Sequence, residues 1–103
     1  MIKDINEATD LLKDCDDLND NNIDDVIFEV ADSDVDVYNS DRRDWMRESE
    51  ENLTLVEEAI DEFGWEGVGK TLDGAIGCAQ LRANEALLRE AWEVMKEHKS
   101  IPF

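Results

Sequence analysis

Apolar residues recur at helical spacing at the start of the chain. Ile5 and Leu12 belong to one such stripe, which predicts a first helix over about residues 3–14. The following residues are almost all Asp or Asn, whose side chains bond to nearby backbone groups, so they predict a turn. Asn21 or Asn22 is a suitable N-cap for a second helix.

The second helix has the clearest pattern in the chain. Its apolar stripe consists of Ile23, Val26, Ile27, Val30 and Ala31. Asp24 and Asp25 suit the positive end of its dipole, and Glu29 lies with them on the polar face. Residues 32–38 alternate like a short strand, but Asp is a poor strand former, so we expect a break and then a third helix.

Three further helical segments are expected. One face of the third helix is predicted to hold Tyr38, Trp45, Met46 and Ser49, with Arg42, Arg43 and Arg47 pairing locally with Asp41, Asp44 and Glu51. A fourth helix is expected over about residues 52–63, followed by a joint at Gly64, Gly67 and Gly69. A long closing helix is expected over residues 71–98, with two apolar strips formed by Leu81, Leu88, Met95 and by Ala75, Ala79, Ala83, Ala86.

These patterns predict an all-α fold: a small helical domain of four to five helices with a long C-terminal helix. Because the closing helix is apolar on more than one side, we expect it to bury more than one side, which indicates a homodimer. The length predicts one domain over residues 1–103, with an acidic partner-binding part in residues 1–63 and a core and dimer helix in residues 71–98.

The net charge of the chain indicates which partners the protein can bind. The 103 residues carry a formal net charge of −18, and residues 1–63 hold 22 acidic and 5 basic side chains. Such acidity excludes direct binding to nucleic acid or to an anionic membrane, since both attract cations. No apolar run long enough to span a membrane and no signal-peptide pattern are present, so we expect a cytoplasmic protein that binds a basic protein.

One string matches a chemical motif in full. Residues 64–71, GWEGVGKT, fit the phosphate-binding pattern G-x-x-x-x-G-K-[ST], in which Lys70 would reach phosphates and Thr71 would hold magnesium. The preceding residues have a helical, charged pattern instead of the required buried strand, and Glu66 would lie beside the phosphates. A small nucleotide-binding protein is therefore only the third hypothesis for the function.

Other chemistry has little support in the sequence. Asp32, Asp34 and Asp36 begin like an EF-hand loop, but its sixth position is Val37 and its twelfth is Arg43. The two cysteines are far apart, and the chain has one histidine, so no zinc or disulfide framework is expected. We expect no cofactor, no metal and no catalytic residue, and hence no enzyme.

The acidic surface itself is the candidate site. Residues 1–41 contain 12 Asp and 2 Glu, although Glu is the better helix former. Shorter side chains hold charge closer to the backbone, which suits imitation of a phosphate array better than it suits solubility. The residues expected to act together as phosphate surrogates are Asp16, Asp17, Asp20, Asp24, Asp25, Glu29, Asp32, Asp34, Asp36 and Asp41.

Two segments carry a resemblance to a known family. Residues 16–20, DDLND, and residues 31–41, ADSDVDVYNSD, resemble segments of the Ocr-type antirestriction proteins of phages, and Thr71 with Asp73 resembles a later Thr-x-Asp. Asp36 stands where that family has proline. The resemblance implies an acidic, helical, dimeric DNA mimic, encoded by a phage and acting in the host cytoplasm.

The leading hypothesis is therefore a DNA-mimic inhibitor without catalysis. Its partner would be a host DNA-binding protein or nuclease complex, either a restriction enzyme or a CRISPR effector, whose DNA site it blocks. The alternative is an acidic binding module or chaperone for a basic cellular protein. A chaperone would bind histone-like proteins broadly and would not need to displace DNA from an enzyme.

Overall fold

The computed structural model describes residues 1–15 and 17–100, the last three of them by backbone alone. All regular structure in this part of the chain is helical, which confirms the predicted all-α class and the long last helix. The helices are α1 (Ile5–Lys13), α2 (Ile23–Ser33), α3 (Asn39–Glu48), α4 (Glu50–Gly67) and α5 (Leu72–Ser100). Among the described residues, none of these helices combines the length and apolarity needed to cross a membrane.

The first two helices begin differently from each other. Asp4 caps α1 by accepting the Glu7 N–H at 2.9 Å, so α1 begins at Ile5, two residues after the predicted start. Asn22 is the N-cap residue of α2, but its side chain makes no cap hydrogen bond. Its side-chain Oδ1 instead accepts the Asn19 N–H at 3.0 Å. The predicted N-cap position of Asn22 is therefore confirmed, although its side chain bonds to the preceding turn and not to the helix.

Residues 1–34 and the chain from Asn84 onward form one compact unit. Its buried apolar side chains include Ile2, Ala8, Leu12, Ile23, Ile27, Ala31, Leu88, Ala91 and Trp92. Asn84 is fully buried among them; its Oδ1 accepts the Ile2 N–H at 3.2 Å and its Nδ2 donates to the Ala31 carbonyl at 3.0 Å. One amide thus ties the start of the chain to the end of α2.

Residues 35–83 form the second unit. Its buried apolar side chains are Trp45, Val56, Val68, Ile76 and the alanines Ala59, Ala75 and Ala79. Ser49 separates α3 from α4 and caps α4 by accepting the Asn52 N–H at 3.1 Å, while Asn52 Nδ2 donates to the Trp45 carbonyl at 2.8 Å.

Alanine contributes heavily to both cores. Six alanines have no solvent exposure, three in each unit: Ala8, Ala31 and Ala91 in the first, and Ala59, Ala75 and Ala79 in the second. A side chain of one methyl group keeps the helix backbone close to whatever packs on it. Within each unit, the helix backbones can therefore approach one another closely at these alanines.

The face predicted for α3 was only partly right. Trp45 is buried and Met46 half-buried, but Tyr38 is 70% exposed and Ser49 lies outside the helix. The exposed Tyr38 precedes the helix as its N-cap residue, so it is not part of the buried face.

The arginines of α3 also depart from the expected local pairing. Arg42 donates to the carbonyls of Asp36 and Asp73 at 2.8 and 3.1 Å. Arg43 forms two hydrogen bonds of 2.9 Å with the Asp73 carboxylate. These bonds, together with the negative charge of Asp73, raise the pKa of Arg43. Neither arginine was expected to reach α5, because sequence spacing reveals only neighbours on the same helix.

The last helix buries one stripe, not several sides. Its buried residues are Ala75, Ile76, Ala79, Gln80, Asn84, Leu88, Ala91 and Trp92, which repeat every three or four positions. Ala86 is exposed, and Leu81 and Met95 are half-buried. The argument for a homodimer from an all-round apolar helix therefore weakens, and the homodimer stays a prediction.

Candidate partner-binding surface

The exposed face of α2 is acidic apart from Phe28 and Ser33. Because Ile23, Ile27 and Ala31 take the buried stripe, the helix turns its carboxylates to solvent. The exposed carboxylates, here called the α2 face, are Asp24, Asp25, Glu29 and Asp32. Phe28 is 53% exposed beside them, and α2 contains no basic residue.

Basic residues of α5 pair with two of the predicted surrogates in this unit. Arg89 lies 2.9 Å from Asp24, and Lys96 lies 4.0 Å from Asp20. The side chains of Asp24 and Asp20 remain 75% and 81% exposed. Ion pairs this exposed contribute little to stability and are screened by salt. Both carboxylates thus remain accessible to a partner.

The turn before α2 holds its acidic side chains outward through backbone bonds. Asp17 has φ of 60°, and its carbonyl accepts the side-chain amides of Asn19 and Asn22 at 3.2 and 2.8 Å. The left-handed backbone is thus fixed by the two asparagines, and Asp17 itself is exposed. Asp16, also predicted as a surrogate, lies outside the described residues.

The two candidates after α2 are less open than expected. Asp34, the C-cap residue of α2, is half-buried, and its Oδ2 is buried without a hydrogen-bond partner. Asp36 is half-buried in the second unit, where its Oδ2 accepts from Gln80 Nε2 at 2.9 Å and its N–H donates to Gln80 Oε1 at 3.1 Å. Asp36 therefore has a structural role that the sequence did not indicate. Asp41 is exposed at the start of α3.

A second acidic surface was missed as a site. The carboxylates of α4 are all exposed, and the helix carries no basic residue; we call Glu50, Glu51, Glu57, Glu58, Asp61, Glu62 and Glu66 the α4 face. Several of them lie in the fourth helix predicted over about residues 52–63. They were not predicted as site residues because the preference for Asp favoured residues 1–41.

The Gly64 to Thr71 segment is a helix connection. Gly64 interrupts α4 with φ 74° and ψ 163°, and one further helical turn follows it. The Thr71 hydroxyl accepts the Gly74 N–H at 2.9 Å at the start of α5, and Lys70 Nζ lies 3.8 Å from Glu66. The segment follows a helix, whereas a phosphate-binding loop follows a strand.

In the described part of the chain, no three His, Cys, Asp or Glu side chains converge to hold a metal ion. Cys15 and Cys78 are both half-buried free thiols. A cavity of about 770 Å³ is lined by residues of α1, the turn after it and α5, including Thr9, Leu12 and Met95. Its lining includes one predicted surrogate, Asp17, together with Lys13, but none of the α2 or α4 carboxylates.

Comparisons with protein-family models, with curated proteins and with solved structures gave no match.

Proposed function

We propose that this protein is a DNA-mimic inhibitor that occupies the DNA site of a host defence enzyme. The observation that carries the proposal is the linear charge density of two acidic helix faces, on helices that contain no basic residue. The α2 face has four exposed carboxylates within residues 24–32, and the α4 face has seven along 18 residues.

The charge spacing is close to that of a nucleic acid strand. At about 1.5 Å of rise per residue, the α2 face carries about one charge per 3 Å, and the six carboxylates of α4 before Gly64, over residues 50–62, are also spaced about one per 3 Å. One strand of duplex DNA carries a phosphate charge about every 3.4 Å along the axis. A groove lined with Lys and Arg to match phosphates would thus meet a comparable density of negative charge on either face.

The energetics also support a binding role. Concentrating like charge lowers the stability of a folded protein, and the chain has 28 acidic residues against 10 basic ones. Basic partners release bound counterions when they meet such a surface, so association is favoured at low salt. The resemblance to Ocr-type proteins agrees with this function and favours a restriction enzyme or a CRISPR effector as the target.

The proposal is tested by competition for the DNA site. A purified type I restriction enzyme and a purified CRISPR effector are each incubated with labelled duplex DNA and increasing amounts of this protein. We expect displacement of DNA from at least one of them, with an apparent affinity that falls steeply as salt rises. A ternary complex with DNA at undiminished affinity would contradict mimicry.

A matched pair of variants separates the α2 face from bulk charge. The triple variant D25N/E29Q/D32N removes three charges from the α2 face, and E85Q/E90Q/E93Q removes three from α5. Asp24 is left intact because it pairs with Arg89. We expect the α2 variant to lose more than tenfold in inhibition and to show a shallower salt dependence, with the α5 variant close to the unmodified protein. Equal losses would indicate nonspecific attraction of the kind an acidic chaperone uses.

A further inference from the structure

Trp65 is the exposed tryptophan of this protein. Its side chain is 49% exposed, whereas Trp45 and Trp92 are 8% and 7% exposed. It follows directly on Gly64, whose φ of 74° and ψ of 163° interrupt α4 in a backbone region that is essentially restricted to glycine. The break therefore sets the direction of the short helical turn that carries Trp65.

The segment around Trp65 is held by its own backbone. The Val68 N–H donates to the Gly64 carbonyl at 3.2 Å, the Gly69 N–H to Glu66 at 3.1 Å and the Lys70 N–H to Trp65 at 2.9 Å. Val68 anchors the segment in the core of its unit, where it is 3% exposed. The indole is thus presented from a preorganised turn, which lowers the entropy cost of binding through it.

An aromatic residue and a carboxylate that are consecutive in sequence hold a cation at two other places in the protein. Trp92 and Glu93 hold Lys96, whose Nζ lies 5.8 Å from the ring centroid and 3.1 Å from the carboxylate. The residues just before Gly64 hold an arginine. The Arg82 guanidinium lies over the Phe63 ring, 4.9 Å from its centroid, and forms an ion pair with Glu62. An aromatic ring and the carboxylate next to it in sequence therefore hold one arginine together. Planar guanidinium groups suit this arrangement because they stack on rings and bind carboxylates through two N–H groups.

Trp65 and Glu66 repeat this combination on the other side of Gly64. They are also consecutive in sequence, and the carboxylate of Glu66 forms a loose pair with Lys70 Nζ at 3.8 Å. The side chains of Glu66 and Lys70 are 87% and 67% exposed, so that pair is readily exchanged for a better one. Tryptophan is also the side chain that attracts cations most strongly.

We propose that Trp65 and Glu66 form a binding site for an arginine side chain of the partner protein. The inference rests on the proposed function, in which the partner presents a basic, DNA-binding surface. The site adds to the summed field of the α2 and α4 faces a contact that distinguishes arginine from lysine. Arginine-rich surfaces would then bind more tightly than lysine-rich surfaces of equal charge.

The site is tested with two peptides of equal charge, nona-arginine and nona-lysine. Quenching of tryptophan fluorescence by acrylamide reports mainly on Trp65, because the other two tryptophans are buried. At one moderate ionic strength we expect nona-arginine to reduce the quenching constant at least twofold at saturation, and nona-lysine to reduce it little. We also expect Trp65→Ala to weaken nona-arginine binding about threefold in calorimetry and to leave nona-lysine binding unchanged.

Glu66→Gln and Glu58→Gln form the matched pair for the carboxylate, since each removes one exposed charge from α4. Glu66→Gln should lower nona-arginine affinity more than Glu58→Gln does. Equal affinities for the two peptides, or an unchanged nona-arginine affinity in the Trp65→Ala protein, would overturn the site. These peptide measurements involve no target enzyme, so failure to displace DNA would contradict the proposed function alone.

Discussion

Gln80 holds Asp36 through both ends of one amide group. Its carbonyl oxygen accepts the Asp36 N–H at 3.1 Å, and its amide nitrogen donates to the Asp36 carboxylate at 2.9 Å. Gln80 is fully buried, so neither bond is readily replaced by water. The segment leading into α3 is thus fixed to the last helix within the second unit.

Gln80→Glu should destabilise the protein by about 2 kcal/mol near neutral pH. The new carboxylate would face that of Asp36, and two carboxylates at this distance share a proton, which raises the folded-state pKa of the pair. Because a raised folded pKa favours the protonated form, the loss should shrink as pH falls towards about 4. Thermal unfolding followed by circular dichroism at several pH values measures this.

The double variant Q80E/D36N is the control for this prediction. It supplies an amide donor opposite the new carboxylate and should recover most of the lost stability at neutral pH. A double variant no more stable than the single one would contradict the two-bond arrangement.

Arg42→Ala should cost about 2 kcal/mol, and Arg43→Ala much less. Arg42 is half-buried, donates hydrogen bonds to the carbonyls of Asp36 and Asp73, and packs against Gly77. Arg43 makes an exposed pair with Asp73, which is screened by solvent. Urea unfolding of the two variants compares them directly. A greater loss in Arg43→Ala would reverse this assignment.

The Arg43 pair should not make stability depend on pH over about pH 5 to 9. Asp73 raises the pKa of Arg43 above its ordinary value, through their hydrogen bonds first and their charges second. The contribution of a group with a raised pKa is fully present below the unfolded value and is lost only above it. The difference in unfolding free energy between Arg43→Ala and the unmodified protein should therefore be constant over that range.

Gly64→Ala should lower stability by about 2 kcal/mol. No atom lies within 4 Å of where the Cβ would stand, so the cost comes from the backbone, whose φ of 74° and ψ of 163° disfavour any side chain. Glu58→Ala, an exposed change in the same helix, should stay within about 0.5 kcal/mol of the unmodified protein. Equal unfolding midpoints for the two variants in urea would show that the break is not required.

Added salt should stabilise the isolated protein. Like charges repel one another within the α2 face and within the α4 face, and this repulsion weakens as the screening length falls from about 20 Å at low salt to a few ångströms. We expect the midpoint of thermal unfolding to rise by several degrees between about 20 and 500 mM sodium chloride. Binding to a basic partner should weaken over the same range. A falling midpoint would show that the favourable ion pairs outweigh the repulsion.

The helices could be predicted from the sequence because apolar spacing records which face is buried. The stripe of Ile23, Ile27 and Ala31 shows this for α2. Contacts distant in sequence could not be predicted in the same way. Gln80 and Asn84 are polar residues in a buried stripe, and their partners lie 44 and up to 82 residues away. The two amides are stable in the buried stripe because the packed helices supply their hydrogen-bond partners, which the sequence alone does not show.

The candidate surface was predicted in part for the same reason. Exposure of Asp25, Glu29 and Asp32 follows from the periodicity of α2. The bonding of Asp36 to Gln80 does not, because an aspartate held by a distant amide has the same sequence pattern as a solvated one. The α4 face was not predicted, because several helices are acidic and composition alone favoured the Asp-rich residues 1–41.

The six fully buried alanines bear on how so acidic a chain folds at all. An alanine side chain has no rotamers to lose, so its burial costs no side-chain conformational entropy, whereas a buried methionine or a long polar side chain costs up to about 2 kcal/mol. Each unit fills three of its core positions in this way. The smaller entropy cost of folding offsets part of the repulsion among surface carboxylates. A small core can therefore keep a chain of net charge −18 folded.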